Sequence, residues 1–397
     1  MLERGFSKPT ERIEKLRKVI IDAVPQVESE RAVLITQSYK ETEGQPTIIR
    51  RAKAVEKIFN ELPITIRDNE LVVGSITVNP RSTEICPEFS YDWVEKEFHT
   101  MHKRMADPFE ISEKVQRELH DAFLYWDGKT TNSLADSYME PDTKDCIANG
   151  VFTVGNYFFG GVGHVNVDYG KILAKGFRGV LEETVAALQA LDEDDPSSIK
   201  KKQFYNAVII SYNAAIRFAH RYAEKARELV GQTSCPIRKA ELEQIAANCD
   251  RVPEFGARTF WEACQSFWFV QIMVQIESNG HSISPGRFDQ YMYPYVKADL
   301  ESGRETEESI VERLTNLWIK TITINKVRSQ AHTFSSAGSP LYQNVTIGGQ
   351  TRDKKDAVNP LSYLVLKSVA QTHLPQPNLT VRYHAGLDAR FMNECIE

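Results

Sequence analysis

The sequence predicts a helix-rich α/β protein folded as one large domain over residues 1–397. Three observations predict it. Apolar residues recur at helical spacing through most of the chain. A strand, helix, strand order near the end favours a parallel sheet. No repeat, low-complexity run or composition break marks a linker.

Residues 11–24 place Ile13, Leu16, Ile20 and Val24 on one helical stripe, and residues 47–62 do the same with Ile48, Ala52, Val55 and Phe59. Pro25 and Pro63 punctuate them. Residues 64–74, ITIRDNELVVG, read as an extended stretch with a turn at Asp68 and Asn69. A long helix follows at 168–191 with Asp168 as N-cap. Another at 198–229 carries Phe204, Val208, Tyr212, Ala215, Ile216, Ala219, Tyr222 and Ala226. Residues 259–276 are apolar almost all round, which predicts a buried central helix. YQNVTIGGQ (342–350) and NLTVRYH (378–384) read as buried strands, with a helix between them at 356–372. The final run, LDARFMNECIE, opens an apolar stripe at Phe391, Met392 and Ile396 that stops unfinished, so the chain is expected to be part of a longer protein.

Composition narrows the classes. With 42% hydrophobic and 26% charged residues the chain reads as a folded, water-soluble enzyme. A net charge of -6 argues against a nucleic-acid partner, which needs concentrated basic surface. Lys200, Lys201 and Lys202 read as a solvated helix start. No segment approaches the ~20 uncharged residues that cross a bilayer, and the N-terminal run is too polar for a secretory signal, so no membrane partner and a cytoplasmic location are expected. The six cysteines lie singly, without CxxC or metal-ligand spacing, so no metal is expected, and Cys264 reads as a buried small hydrophobe.

Two segments carry candidate chemistry. Residues 151–171 surround aromatics and one histidine, His164, with Gly155, Gly160, Gly161 and Gly163, a density that lets backbone approach a ligand closely. A phosphate loop is disfavoured because neither GKS/GKT nor GxGxxG is present. A glycine-rich turn with a histidine packed on Tyr157 and Phe158 is the competing structural reading. In residues 275–295 the apolar helix delivers a polar loop holding Glu277, Ser278, Asn279, His281 and Ser282 before Pro285 and Gly286. Such a cluster either satisfies itself or faces a polar ligand. Arg287 and Asp289 read as a structural ion pair at a helix start, and Tyr291, Tyr293 and Tyr295 as core or subunit interface.

These segments together resemble the glycyl-radical enzyme family, and within it the B12-independent glycerol and propane-1,2-diol dehydratases. GNYFFGGVGHVNVDYGK, ESNGHSISPGRFDQYMYPY and YQNVTIGGQ carry the subgroup resemblance. ESERAVLITQSYKETEGQP, RRAKAVEKIF, IRDNELVVGS and LPQPNLTVRY carry the wider one. The resemblance implies the N-terminal part, with the first half-barrel, of a ten-stranded β/α barrel wrapped in helices. It also implies a glycyl radical made by an activating enzyme of the radical S-adenosylmethionine class with an iron–sulfur cluster, and a homodimer. No cofactor is expected on this chain. Residue by residue, His164 matches the histidine that protonates the departing hydroxyl, and His281 a second histidine that holds the diol. Asn156 and Ser282 match polar residues lining the pocket. The GCVE-like cysteine motif and the RVxGY-type glycine loop of the family are absent from this sequence, so the chain alone is expected to be inactive. A lyase cleaving a C–N, C–S or C–C bond, or a non-catalytic unit, are the alternatives.

Overall fold

A computed structural model of the chain describes residues 8–152, 158, 160–335 and 341–396. The first helix is Glu11–Ile21, opened by the Thr10 hydroxyl accepting from the Ile13 amide at 3.4 Å. It stops before Val24, which is left 58% exposed rather than joining the predicted stripe. The helix Thr47–Glu61 buries Ala52, Val55 and Phe59 as expected, while Ile48 stays partly exposed.

At the centre lies the helix Phe260–Glu277, of whose 18 residues 15 are buried. It packs against the helices Tyr169–Gln189, Phe288–Glu301 and Glu307–Thr321 in the main hydrophobic core. Its buried glutamines also organise a neighbour. Residues 64–74, expected to be extended, form no strand. Their backbone groups are taken up by side chains instead: Gln265 bonds both the amide and carbonyl of Val73 at 2.9 and 2.7 Å, Asn316 accepts from Leu71 at 3.1 Å, and the Trp268 indole donates to Gly74 at 3.0 Å. A backbone already satisfied in this way has no need of a ladder. The turn at Asn69 is present, with φ of 67°.

The predicted 168–191 helix starts at its Asp168 cap, whose carboxylate accepts from the Lys171 amide at 3.1 Å, but it breaks at Gly176. There φ is 68°, and a β-carbon would lie 2.2 Å from the Glu254 carbonyl oxygen. Residues 253–254 instead take the amides of Phe177 and Arg178, each at 2.8 Å. The helix Ser198–Val230 agrees with prediction, although Phe204 is 52% exposed.

Among the described residues five short strands form two parallel sheets: β1 (Val27–Glu28) pairs with β2 (Thr83–Glu84), and a second sheet has the order β3 (Gly286–Arg287), β4 (Asn344–Gly348), β5 (Asn378–Arg382). The helix Pro360–Thr372 makes the crossover between β4 and β5, which run in register from Asn344 opposite Asn378 to Gly348 opposite Arg382. The parallel α/β arrangement read from the sequence is the one that forms. β4 is largely buried, but β5 alternates exposed and half-buried residues and is not the buried strand expected. The final helix, Ala389–Ile396, buries Phe391 and leaves Ile396 exposed.

Arg287 and Asp289 do not form the predicted ion pair with each other. Both grip Gly348: the Arg287 guanidinium donates to its carbonyl at 2.8 Å, and the Asp289 carboxylate accepts its amide at 2.7 Å and the Ser362 hydroxyl at 2.6 Å. Their role is therefore structural, fixing β4 to the start of its neighbouring helices. Tyr291 packs on Tyr169 and Phe288 and donates to the Pro285 carbonyl at 2.9 Å, and Cys264 is fully buried. Lys200, Lys201 and Lys202 are exposed, and no helix among the described residues is long and apolar enough to cross a membrane.

Candidate functional site

The site begins where the central helix ends. Helix C-termini leave carbonyls without partners and carry partial negative charge. Here successive carbonyls of the helix end and the following loop are taken by cations. Lys326 donates to Gln275 and, at 3.0 Å, to Ser278. Arg31 donates to Ile276 at 2.8 Å, Arg51 to Glu277, and Arg328 to Asn279. Carboxylates balance this charge. Glu88 accepts a fork from Arg31 at 2.7 and 3.1 Å and another bond from Arg51 at 2.9 Å, while Glu84 accepts from Lys326 at 3.2 Å and Glu277 from Arg51 at 3.0 Å. Burial alone would raise the Glu88 carboxyl, but Arg31 and Arg51 bring it down to about 2. None of these cations was singled out from sequence, since their partners lie far away along the chain.

With the helix end so fixed, the polar loop crosses the glycine-rich loop in direct backbone contact. A β-carbon on Gly163 would sit 2.4 Å from the His281 carbonyl oxygen, and one on Gly280 would sit 2.0 Å from that of Val162. Only glycine fits either position. The crossing is fastened by the His164 amide donating to the His281 carbonyl at 2.7 Å, the Ser278 hydroxyl donating to Val162 at 2.5 Å, and the Ser284 amide donating to Val165 at 3.1 Å. His164 and Ser282 take left-handed backbone, φ 55° and 60°, a conformation that non-glycine residues hold only where the surroundings enforce it. The Ser282 amide is anchored to the Leu341 carbonyl at 2.8 Å.

The structure thus brings together His164, His281 and Ser282 from segments more than a hundred residues apart. Asn156 lies outside the described residues, as does Tyr157. His164 is exposed and His281 half-buried. Burial, with Arg328, His332, Lys326 and His164 around it, lowers the His281 imidazole to about 3, so at neutral pH it carries no charge. Its ring centroid is 6.1 Å from that of His332. A cavity of about 310 Å³ is lined by Asn279, Arg328, His332 and Ser90 together with Glu84 and Asp92, but His164, His281 and Ser282 are not among its lining residues. Arg328 and His332, in the run NKVRSQAH, were not picked out from sequence; the available signal was a pair of basic residues, Lys326 and Arg328, following closely on an apolar helix.

No group of three or more His, Cys, Asp or Glu able to hold a metal occurs among the described residues. The Cys86 thiol, buried near Arg31 and Glu88, is pushed up to about 12 by burial and is not a poised nucleophile.

Residues 8–397 match the family model described as Pyruvate formate lyase-like. The Probable dehydratase YbiW of Escherichia coli (strain K12) is 36% identical, covering 98% of this chain and 48% of that protein. The glycerol-bound form of the B12-independent glycerol dehydratase from Clostridium butyricum superposes with a TM-score of 0.96 at 49% identity, covering 99% of this chain and 50% of that one. A Roseburia inulinivorans structure described for 1,2-propanediol dehydration gives 0.97 at 44% identity, covering 98% and 47%. Further relatives are named for isethionate and trans-4-hydroxy-L-proline, so the relatives share lyase and dehydratase chemistry but not one substrate. The chain spans about half the length of the relatives it matches. On the family match and these superpositions, the chain belongs to the pyruvate formate lyase-like family of glycyl-radical enzymes.

Proposed function

We propose that the protein to which this chain contributes His164 and His281 is a glycyl-radical dehydratase that removes water from a small vicinal diol, glycerol or propane-1,2-diol, and yields an aldehyde. The observation that carries this reading is the locked crossing of the two loops, which seats an uncharged, half-buried His281 beside an exposed His164. An uncharged imidazole both donates and accepts, which suits a diol hydroxyl better than it suits a cation or a carboxylate. The likeness to the glycerol and propanediol dehydratases supports the same substrate class.

In this reading the chain is the N-terminal portion of a single barrel domain, and the glycine and cysteine that carry the radical lie in sequence beyond it. An activating enzyme of the radical S-adenosylmethionine class generates the radical. The cysteine thiyl removes hydrogen from the terminal hydroxyl-bearing carbon, and a carboxylate takes that hydroxyl's proton as the adjacent hydroxyl leaves. His164 protonates the departing group so that it leaves as water, the hydrogen is returned to the product radical, and the products are one aldehyde and one water. His281, Ser282 and Asn156 hold the diol.

The test is anaerobic incubation of the full-length, activated protein with each diol, followed by trapping of the aldehyde. Absence of aldehyde from both would sink the diol assignment. His164→Ala is expected to lower kcat by about 10²–10⁴-fold, the usual worth of a general acid. The relatives named for sulfopropanediol and isethionate give a second reading, a C–O or C–S lyase acting on a sulfonate, and those two compounds belong in the same panel.

A further inference from the structure

The left-handed turn at Ser282 is held by bonds on every side. The Ser282 amide donates to the Leu341 carbonyl at 2.8 Å, the His281 carbonyl before it accepts from the His164 amide at 2.7 Å, and the Ser284 amide beyond it donates to Val165 at 3.1 Å. The Ile283 carbonyl between them is held from the core, where the Gln271 side chain on the central helix donates to it at 2.9 Å. The same nitrogen donates to the Gln343 side-chain oxygen at 3.1 Å, and Gln343 in turn donates to the Thr321 carbonyl at 2.9 Å. At the other end the Tyr169 hydroxyl donates to the Gln271 side-chain oxygen. Tyr169 opens the helix that follows the glycine-rich loop, and its ring packs on Phe267 and Tyr291 with centroids 4.7 and 5.6 Å away. Tyr169, Gln271 and Gln343 are all fully buried.

This row of bonds runs in one direction. The Gln271 nitrogen faces two acceptors and its oxygen faces a donor, so turning the amide end for end would set oxygen against both the Ile283 carbonyl and the Gln343 oxygen. Ser282, at φ 60°, holds a conformation that costs free energy and relaxes when the peptide groups beside it are released. We propose that Gln271, oriented by the Tyr169 hydroxyl, is a positioning residue for the diol: by holding the Ile283 carbonyl it keeps the Ser282 turn left-handed, and so fixes the directions in which His281 and Ser282 present their side chains. This rests on the assignment of His281 and Ser282 as residues that hold the diol. Every link from Tyr169 to the Ile283 carbonyl is a direct hydrogen bond between buried groups, and Ile283 follows Ser282 in the chain. A glutamine that served only to satisfy the core would, when replaced, weaken the core as a whole rather than this one turn.

The experiment compares the full-length protein with its Tyr169→Phe and Gln271→Met variants. Phe keeps the ring and removes the proton that orients the amide, whereas Met keeps the length and packing of the side chain and loses all its hydrogen bonds. Hydrogen exchange followed by mass spectrometry, in the unactivated protein, should find the peptide covering 279–288 exchanging at least about tenfold faster in Gln271→Met and about threefold faster in Tyr169→Phe, with 310–319 unchanged. In the activated enzyme the KM for the diol should rise about tenfold in Gln271→Met and about threefold in Tyr169→Phe. The kcat should fall by less than about threefold in both, because the residues that Gln271 holds bind the diol while His164 donates the proton. Unchanged exchange at 279–288, faster exchange spread equally over 279–288 and 310–319, or local loosening without a rise in KM each overturns the proposal. If Gln271→Met does not fold, Tyr169→Phe decides by the same three criteria. The exchange readout does not need turnover. Local loosening in the variants of an enzyme that forms no aldehyde from either diol sinks the diol reading and leaves the hold of Gln271 on the turn in place. Aldehyde formed with unchanged exchange and KM does the reverse.

Discussion

One methyl group at Gly163 or Gly280 decides whether the two histidine loops can meet. Gly163→Ala would drive its new carbon to 2.4 Å from the His281 carbonyl, and the backbone on both sides is hydrogen-bonded and cannot yield freely. The variant is expected to lose about 2–3 kcal/mol of stability and to free the loop, read as a lowered urea midpoint and new proteolysis near residue 164. An unchanged midpoint would mean the loops do not cross as described. His281 supplies a second test at this scale. Its folded value, about 3, lies below the ordinary 6.5, so the unfolded chain binds a proton that the folded one refuses. Stability is therefore lost as pH falls through 6.5 and onward toward 3. His281→Gln should remove this loss and gain about 1 kcal/mol on the wild type at pH 5 relative to pH 7.5, after discounting for partial solvent screening. Equal pH dependence in the two proteins would show that His281 titrates normally. Glycine density and a polar loop after an apolar helix are local signals that single out both histidines as candidates, but on the residues alone a structural reading stays open, and their proposed roles come from the family resemblance. The contact between the two loops was not legible, since it joins segments over a hundred residues apart.

The central helix shows the same division at the scale of elements. Its burial could be read from an apolar circumference, whereas what fixes its end could not. Arg31, Arg51 and Lys326 look like ordinary surface charges in sequence, and only the fold brings them onto the carbonyls of residues 275–278. The break at Gly176 and the absence of a strand at 64–74 were missed for a related reason: in each case groups from elsewhere take the backbone hydrogen bonds, overriding local propensity. The cluster can be tested through Glu88, whose carboxyl drops from an ordinary 4.5 to about 2 against the opposing pull of burial. A depressed carboxyl contributes stability above its unfolded value and loses it as pH falls toward its folded one. Glu88→Gln should therefore cost about 3 kcal/mol at pH 7, with the gap from wild type closing between pH 4.5 and pH 2. A gap that stayed constant across that range would assign the loss to packing rather than to charge.

Across the whole molecule the two histidines come from regions of unequal stability. The segment leading to His164 passes through the helices Thr131–Tyr138 and Pro141–Ala148, neither of which buries a single residue. The segment leading to His281 is the most buried helix of the main core, packed beside Glu307–Thr321, which is itself buried from Leu314 through Thr321. Few buried contacts mean a low free energy of local opening, and many mean opening only with the whole domain. Hydrogen exchange followed by mass spectrometry should therefore find peptides from 131–148 exchanging within seconds and those from 260–277 and 307–321 last. The crossing predicts more than this gradient. If the His164 amide is held by the His281 carbonyl, the peptide covering 161–168 should exchange more slowly than the 131–148 stretch before it, and Gly280→Ala should erase that protection while leaving 307–321 unchanged. Equal exchange at 131–148 and 161–168 in the unaltered protein would show that the glycine-rich loop is not fastened to the helix end, and a site built on that contact would not survive the result.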